Sequence, residues 1–241
     1  MKGWRARIGF MVPPGNPTVE PEMFDMAPPG VSVHFTRMSA SGAAGTHEGQ
    51  DERNRSQIES LDRCMELLSM LAPNVVVMAH TATSYTLGRA AEAELGARLE
   101  DRWKVPFITA FGSALAAFRT LGIERIAYAT PYNEATTLQG VAHFKAHDID
   151  VVGHGRLANV RNIYEESSER AYSIARLVDR PDADAVFLSG VGMPTVDVLE
   201  TLERDLGKPV VSAASAMMWN ALRVSGVGGP VPGFGRLLRA L

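Results

Sequence analysis

The chain has 241 residues, 46% of them hydrophobic, with 24 lysines and arginines against 27 aspartates and glutamates for a net charge of -3. That length allows one large α/β domain or two small ones around a real core, and a balance so close to neutral supplies neither a basic face for nucleic acid nor an acidic tail. The single cysteine, Cys64, excludes an internal disulfide and a cysteine-based zinc site.

From the N-terminus, MKGWRAR precedes an apolar run over residues 8–12. That run is too short for a secretory core, and nothing later approaches a membrane span. A cytoplasmic protein without membrane or nucleic-acid partners is expected. Short Val/Ile-rich runs then alternate with helical patterns, the mark of βαβ units on parallel sheets. Strands are predicted at residues 7–12, 31–36, 75–79, 106–110, 126–130, 150–153, 185–189 and 209–213. Helices are predicted over 51–71, 87–103, 113–121, 134–147, 164–177, 196–206 and 216–224. In the first of these, Ile58, Leu61, Met65 and Leu68 recur at steps of three and four, and Cys64 at the edge of that face reads as a small core side chain.

The pieces repeat in order. RIGFMVP at 7–13 has the shape of RIAYATP at 125–131, NVVVMAH at 74–80 that of DAVFLSG at 184–190, and KVPFI at 104–108 that of GKPVV at 207–211. Three colinear matches imply two homologous halves, each a doubly wound parallel sheet, with a crevice where the strand ends of both converge.

Several residues at those ends can carry chemistry. His80 closes a buried apolar run, and a neutral imidazole there can act as a base or bind a carboxylate. Thr81, Thr83 and Ser84 follow it with hydroxyls and backbone N–H groups that suit an anion cradle near a helix start at about residue 86, or an ordinary helix cap. In the first loop, Pro14 and its neighbouring prolines stiffen the backbone around Asn16, whose amide can donate to a carboxylate or merely shape a turn. The turn Gly190-Val191-Gly192 lets backbone N–H groups approach a ligand, or is only a tight connection. No complete glycine fingerprint or phosphate loop accompanies it, so nucleotide binding is not expected. His143 and His147 stand at i, i+4, but Phe144 occupies the place where a zinc hydrolase needs glutamate. They read as surface residues, and no metal site is expected. The glycine-rich SASGAAGT before His47 reads as a mobile lid or a loose connection.

RIGFMVPPGNPTVEPEM, VVVMAHTATSYTLG, IAYATPYNE, AVFLSGVGMPTVDVLE and KPVVSAASAMMWNALR together resemble the aspartate/glutamate racemase superfamily, in its branch of maleate cis-trans isomerases and arylmalonate decarboxylases. The resemblance is colinear over nearly the whole chain. It implies two pseudo-symmetric Rossmann-like lobes, residues 1–112 plus 216–241 and residues 113–215, with the active site between them. It also implies cofactor-independent isomerase or lyase chemistry on a small (di)carboxylic acid. The two strand ends where such enzymes usually keep cysteine hold His80 and Gly190. Thr81 and Ala82 then fall where the decarboxylases carry a hydroxyl-rich segment, Tyr132 matches a family tyrosine able to hold an oxyanion, and Asn162, or else Asn159, lies where isomerases carry a binding asparagine. His80 and Tyr132 are thus the catalytic candidates. Pro14, Asn16, Thr81, Thr83, Ser84, Asn162, Gly190 and Val191 are the substrate-binding ones. A hydrolase or hydratase using His80 as base, and a catalytically silent carboxylate-binding protein, are the rival readings, and a homo-oligomer stays open.

Overall fold

The computed structural model describes residues 2–241. Strands β1 (Ala6–Val12), β2 (Val31–Arg37), β3 (Val75–Met78) and β4 (Phe107–Thr109) form one parallel sheet in the order β2-β1-β3-β4. Strands β5 (Arg125–Thr130), β6 (Asp150–Arg156), β7 (Ala185–Leu188) and β8 (Val210–Ser212) form a second in the order β6-β5-β7-β8. All eight lie where the apolar runs predict. The repeat extends to register: Phe10 pairs with Val77 as Tyr128 pairs with Phe187. In each sheet the order reverses between the first and third strands, and at that switch point the residues leaving two neighbouring strands diverge and open a crevice.

The helices are α1 (Val19–Met26), α2 (Gln50–Glu59), α3 (Leu61–Ser69), α4 (Thr81–Trp103), α5 (Ala110–Leu121), α6 (Glu134–Lys145), α7 (Ser168–Val178), α8 (Leu199–Leu206), α9 (Ala213–Val224) and α10 (Gly235–Arg239). The predicted 51–71 helix is broken at Ser60. Its hydroxyl donates to the Gln57 carbonyl at 2.8 Å and accepts from the Ser39 N–H at 3.0 Å, which ends one helix and starts the next. α4 starts at Thr81, not near residue 86, and its Gly88 adopts φ 73, so the hydroxyl-rich stretch is itself the first turn. α1 has no apolar period to announce it, and Pro21 argues against a helix. Pro21 is tolerated because first-turn N–H groups have no intrahelical partner.

α5 and α9 cross between the halves. Phe118 of α5 meets Phe187 of the second sheet at 5.4 Å between ring centroids, whereas α9 packs on α1, β3 and α5. His143, expected at the surface, is buried at 6% exposure, where the tilted Phe111 ring lies 4.3 Å from its own and Glu92 stands 3.6 Å from Nε2.

α1 also fastens the halves together. Asn16 Nδ2 donates to the Val191 carbonyl at 3.2 Å, and Thr18 Oγ1 donates to that of Gly192 at 3.0 Å. Glu22 Oε1 accepts from the backbone N–H groups of Thr195 at 2.5 Å and Val196 at 3.0 Å. Burial raises the Glu22 carboxyl from 4.5 to about 7, against the lowering effect of those donors. Glu22→Ala leaves two buried N–H groups unpaired, and such groups cost about 1–3 kcal/mol each. A loss of roughly 3 kcal/mol in urea unfolding is expected, with Glu22→Gln, which keeps an acceptor oxygen, losing under half of that.

Candidate active site

Where the carboxyl ends of both sheets meet lies a cavity of about 130 Å³. Six of the predicted site residues wall it: Pro14, Asn16, His80, Tyr132, Gly190 and Val191. Thr81, Thr83, Ser84 and Asn162 do not. Thr81 is buried beside the Tyr132 phenol, and Ser84 turns away from the cavity to donate to Glu92 at 2.7 Å. Thr83 supports His80, its Oγ1 lying 2.6 Å from Nδ1. Asn162 takes Tyr164 N–H on Oδ1 at 2.9 Å and donates to the Ala44 carbonyl at 3.3 Å, so it braces the 39–49 segment against the second lobe. Asn159, the other choice for this role, adopts φ 56 and is absent from the cavity wall.

That segment is closed over the cavity. The Gly45 carbonyl accepts from Ile163 N–H at 2.8 Å, and His47 Nε2 donates to the Pro131 carbonyl at 2.9 Å. Ala40, Gly42, Ala44, Gly45 and Thr46 form one wall, and Tyr164 packs beside Gly45. A Cβ at Gly45 would fall 2.8 Å from the Tyr164 ring and closer still to Asn162. No larger residue permits this closure.

His80 sits in extended backbone at the N-terminal cap of α4, its ring partly open to the cavity. Enclosure, and then the nearby Arg53 charge, lower its pKa from 6.5 to about 4. The imidazole is neutral at pH 7. Thr83 occupies Nδ1, which leaves Nε2 for chemistry, as lone pair or as N–H according to which way the Thr83 hydroxyl turns.

The sequence reading missed Arg53. α2 buries not an apolar stripe but Gln50, Arg53, Asn54 and Gln57, at i, i+3, i+4 and i+7, and all four wall the cavity. The signal was a helical period in polar residues just before the apolar one that begins at Ile58. The Arg53 guanidinium is 9% exposed and donates to the carbonyls of Glu48 and Thr46. None of the ion pairs among the described residues includes it. A buried cation without a counter-charge, on the wall of a cavity, is an anion site in electrostatic terms.

Across from His80, Tyr132 is 2% exposed and faces the hydroxyls of Ser189 and Thr81. Burial pushes its phenol far above its usual range, so it serves only as a neutral donor. Gly190 holds φ 94, and a Cβ there would lie 2.7 Å from Pro131 Cγ, so this strand end presents backbone alone. Cys64 is on the buried face of α3 with its thiol pushed up by desolvation, and it is not part of the cavity wall.

Two stacked copies of a doubly wound sheet with a small cavity at their seam define a two-lobed α/β enzyme fold. The arylmalonate decarboxylase family model matches residues 8–238. The arylmalonate decarboxylase of Bordetella bronchiseptica is 30% identical over 239 residues, 95% of each chain. The crystal structure of the maleate isomerase of Pseudomonas putida S16 with maleate superposes with a TM-score of 0.89 at 26% identity, covering 98% of each chain. A Nocardia farcinica maleate cis-trans isomerase with a covalently bound succinylcysteine intermediate gives 0.88 at 28% identity, covering 97% of this chain and 98% of that one. The chain belongs to the arylmalonate decarboxylase family, within the aspartate/glutamate racemase superfamily, and is an enzyme of the isomerase or lyase type. Among the described residues no helix is long and apolar enough to cross a membrane.

His80 and Glu22 make opposed contributions to stability. The His80 value is lowered on folding, so the unfolded chain binds more protons between about pH 4 and 6.5 and stability rises with pH there. The Glu22 value is raised, so the folded chain binds more protons between about pH 4.5 and 7 and stability falls with pH. Each effect is on the order of 3 kcal/mol. Thermal unfolding should therefore vary little with pH over the shared window in the native chain, rise with pH in Glu22→Gln and fall with pH in His80→Gln. Equal slopes in the two variants would refute the assignment.

Proposed function

We propose that the protein isomerises or cleaves a small carboxylic acid by proton transfer at carbon, with His80 as the acid–base group. The observation that carries this is the pairing of a neutral imidazole and an unpaired, buried guanidinium on one small cavity. Arg53 draws in a carboxylate. The added negative charge beside His80 favours its protonated form, so substrate binding itself returns the imidazole toward a useful range. In isomerisation of an acid with a saturated C–H beside its carboxylate, His80 Nε2 takes that proton, and the bonding pair moves into the carboxylate as an enediolate. The imidazolium then returns the proton to the same carbon or to the far end of a conjugated double bond, which restores the neutral ring. In cleavage of a malonate-type acid, departure of carbon dioxide leaves the same enediolate, and the imidazolium protonates its carbon. The Tyr132 O–H and backbone N–H groups of the Gly190–Gly192 turn are the donors for the developing oxyanion.

Two features support this over thiol addition and over a bulky substrate. Cys64 lies off the cavity wall, so a succinylcysteine like that of the Nocardia isomerase has no thiol to form on. At about 130 Å³ the cavity is near the roughly 150 Å³ that accommodates a benzene-sized molecule. Such a space suits an acid of the size of maleate, which the Pseudomonas isomerase holds in its crystal, better than an arylmalonate.

The test is turnover of maleate, malonate and phenylmalonate in D₂O, followed by NMR. Deuterium incorporation into malonate, or its decarboxylation, is expected, since malonate carries saturated C–H bonds beside its carboxylates, whereas maleate tests binding of a compact acid without such a bond. His80→Ala should lower it on the order of 100-fold or more while binding persists, and Arg53→Met should weaken binding about tenfold or more. Full activity in His80→Ala would refute the proton-transfer role. Binding of every acid without conversion of any would establish a silent carboxylate-binding protein.

A further inference from the structure

The polar stripe of α2 carries more than a charge. Asn54 is 1% exposed and Gln57 4% exposed, and both wall the cavity. Asn54 Nδ2 donates to Thr86 Oγ1 at 2.9 Å and to the Ala82 carbonyl at 3.4 Å, which fixes the amide's orientation and leaves Oδ1 buried with no partner. Gln57 Oε1 is likewise buried without one. The neighbouring Gln50 is different, since its Oε1 accepts from Thr136 Oγ1. Two orphan acceptors thus stand on the helix face that also presents Arg53, one residue away in one case and four in the other.

A carboxylate answers Arg53 but cannot answer these oxygens, because an ionised carboxylate only accepts. Oriented acceptors left unpaired at a buried site disfavour any ligand that brings no donor to them. Resting on the proposed carboxylate chemistry and narrowing its substrate class, we infer that the native substrate is a short carboxylic acid bearing an O–H or N–H donor next to the carboxylate that Arg53 holds. A 2-hydroxy acid or a 2-amido acid has this form. In that pose the carboxylate accepts from the guanidinium, and the adjacent donor reaches Asn54 Oδ1 or Gln57 Oε1. The far end of the molecule, with the reacting carbon, points toward His80 and Tyr132.

The test uses matched pairs that differ by one hydroxyl: malonate against hydroxymalonate, and succinate against malate. Calorimetric titration of the native protein should show the hydroxylated member of at least one pair binding about tenfold more tightly, the worth of one hydrogen bond to a buried partner. That preference should shrink in Gln57→Met or in Asn54→Leu, and its survival in both would overturn the inference. In His80→Ala the preference should survive although turnover is lost, which separates this inference from the catalytic one. Equal or weaker binding of both hydroxylated acids to the native protein would overturn it, whether or not Gln57→Met folds. Failure of all four acids to bind would overturn it together with the carboxylate reading on which it rests.

Discussion

A guanidinium held inside a protein without a carboxylate is the constraint on which the site depends. Removing a cation from water is costly unless its donors are satisfied and some counter-charge is available. Arg53 meets the first requirement through the carbonyls of Thr46 and Glu48, and this holds the 39–49 segment closed. The second requirement is unmet among the described residues, so the unbalanced charge faces the cavity. Burial first, and then the same charge, keep His80 neutral. One side chain therefore closes the cavity and sets its sign, and it adds to the burial that keeps the imidazole neutral, the state from which the proposed proton transfer starts.

The two-lobed architecture makes such a site possible. Duplicate sheets with the same strand order bring two switch points face to face, and each lobe supplies what the other lacks. The first contributes the imidazole at the end of β3 and the polar face of α2. The second contributes Tyr132 after β5 and the glycine turn after β7. Their alignment rests on a dense seam in which Asn16, Thr18 and Glu22 bind the backbone of residues 191–196. Asn16 illustrates how structure and site share residues. Its Oδ1 accepts from the N–H groups of Thr18 and Val19 at the start of α1 while its amide nitrogen reaches the Val191 carbonyl across the seam.

Much of this was legible in the sequence, for identifiable reasons. Buried parallel strands are continuous apolar runs, so β1, β3, β5 and β7 announced themselves, and the repeated RIGFMVP and RIAYATP exposed the duplication. His80 was visible because it ended such a run. The roles of Thr81, Thr83 and Ser84 were less so, since a hydroxyl-rich stretch looks the same whether it forms a loop rim or, as here, the buried first turn of a helix. Hydrophobic periodicity also concealed the role of α2, though not its existence: a helix that buries polar residues in a cavity has the pattern of one exposed to water. His143 escaped for a related reason, because its neighbours Phe111 and Glu92 come from distant positions.

The most direct measurement is an NMR titration of the His80 ring in the native protein, free and saturated with malonate. The free ring should titrate near 4, and the bound ring should move clearly upward toward neutrality as an anion settles beside it and Arg53. A free ring already titrating near 6.5, or one that malonate leaves unmoved, would contradict a buried, uncompensated cation governing the site.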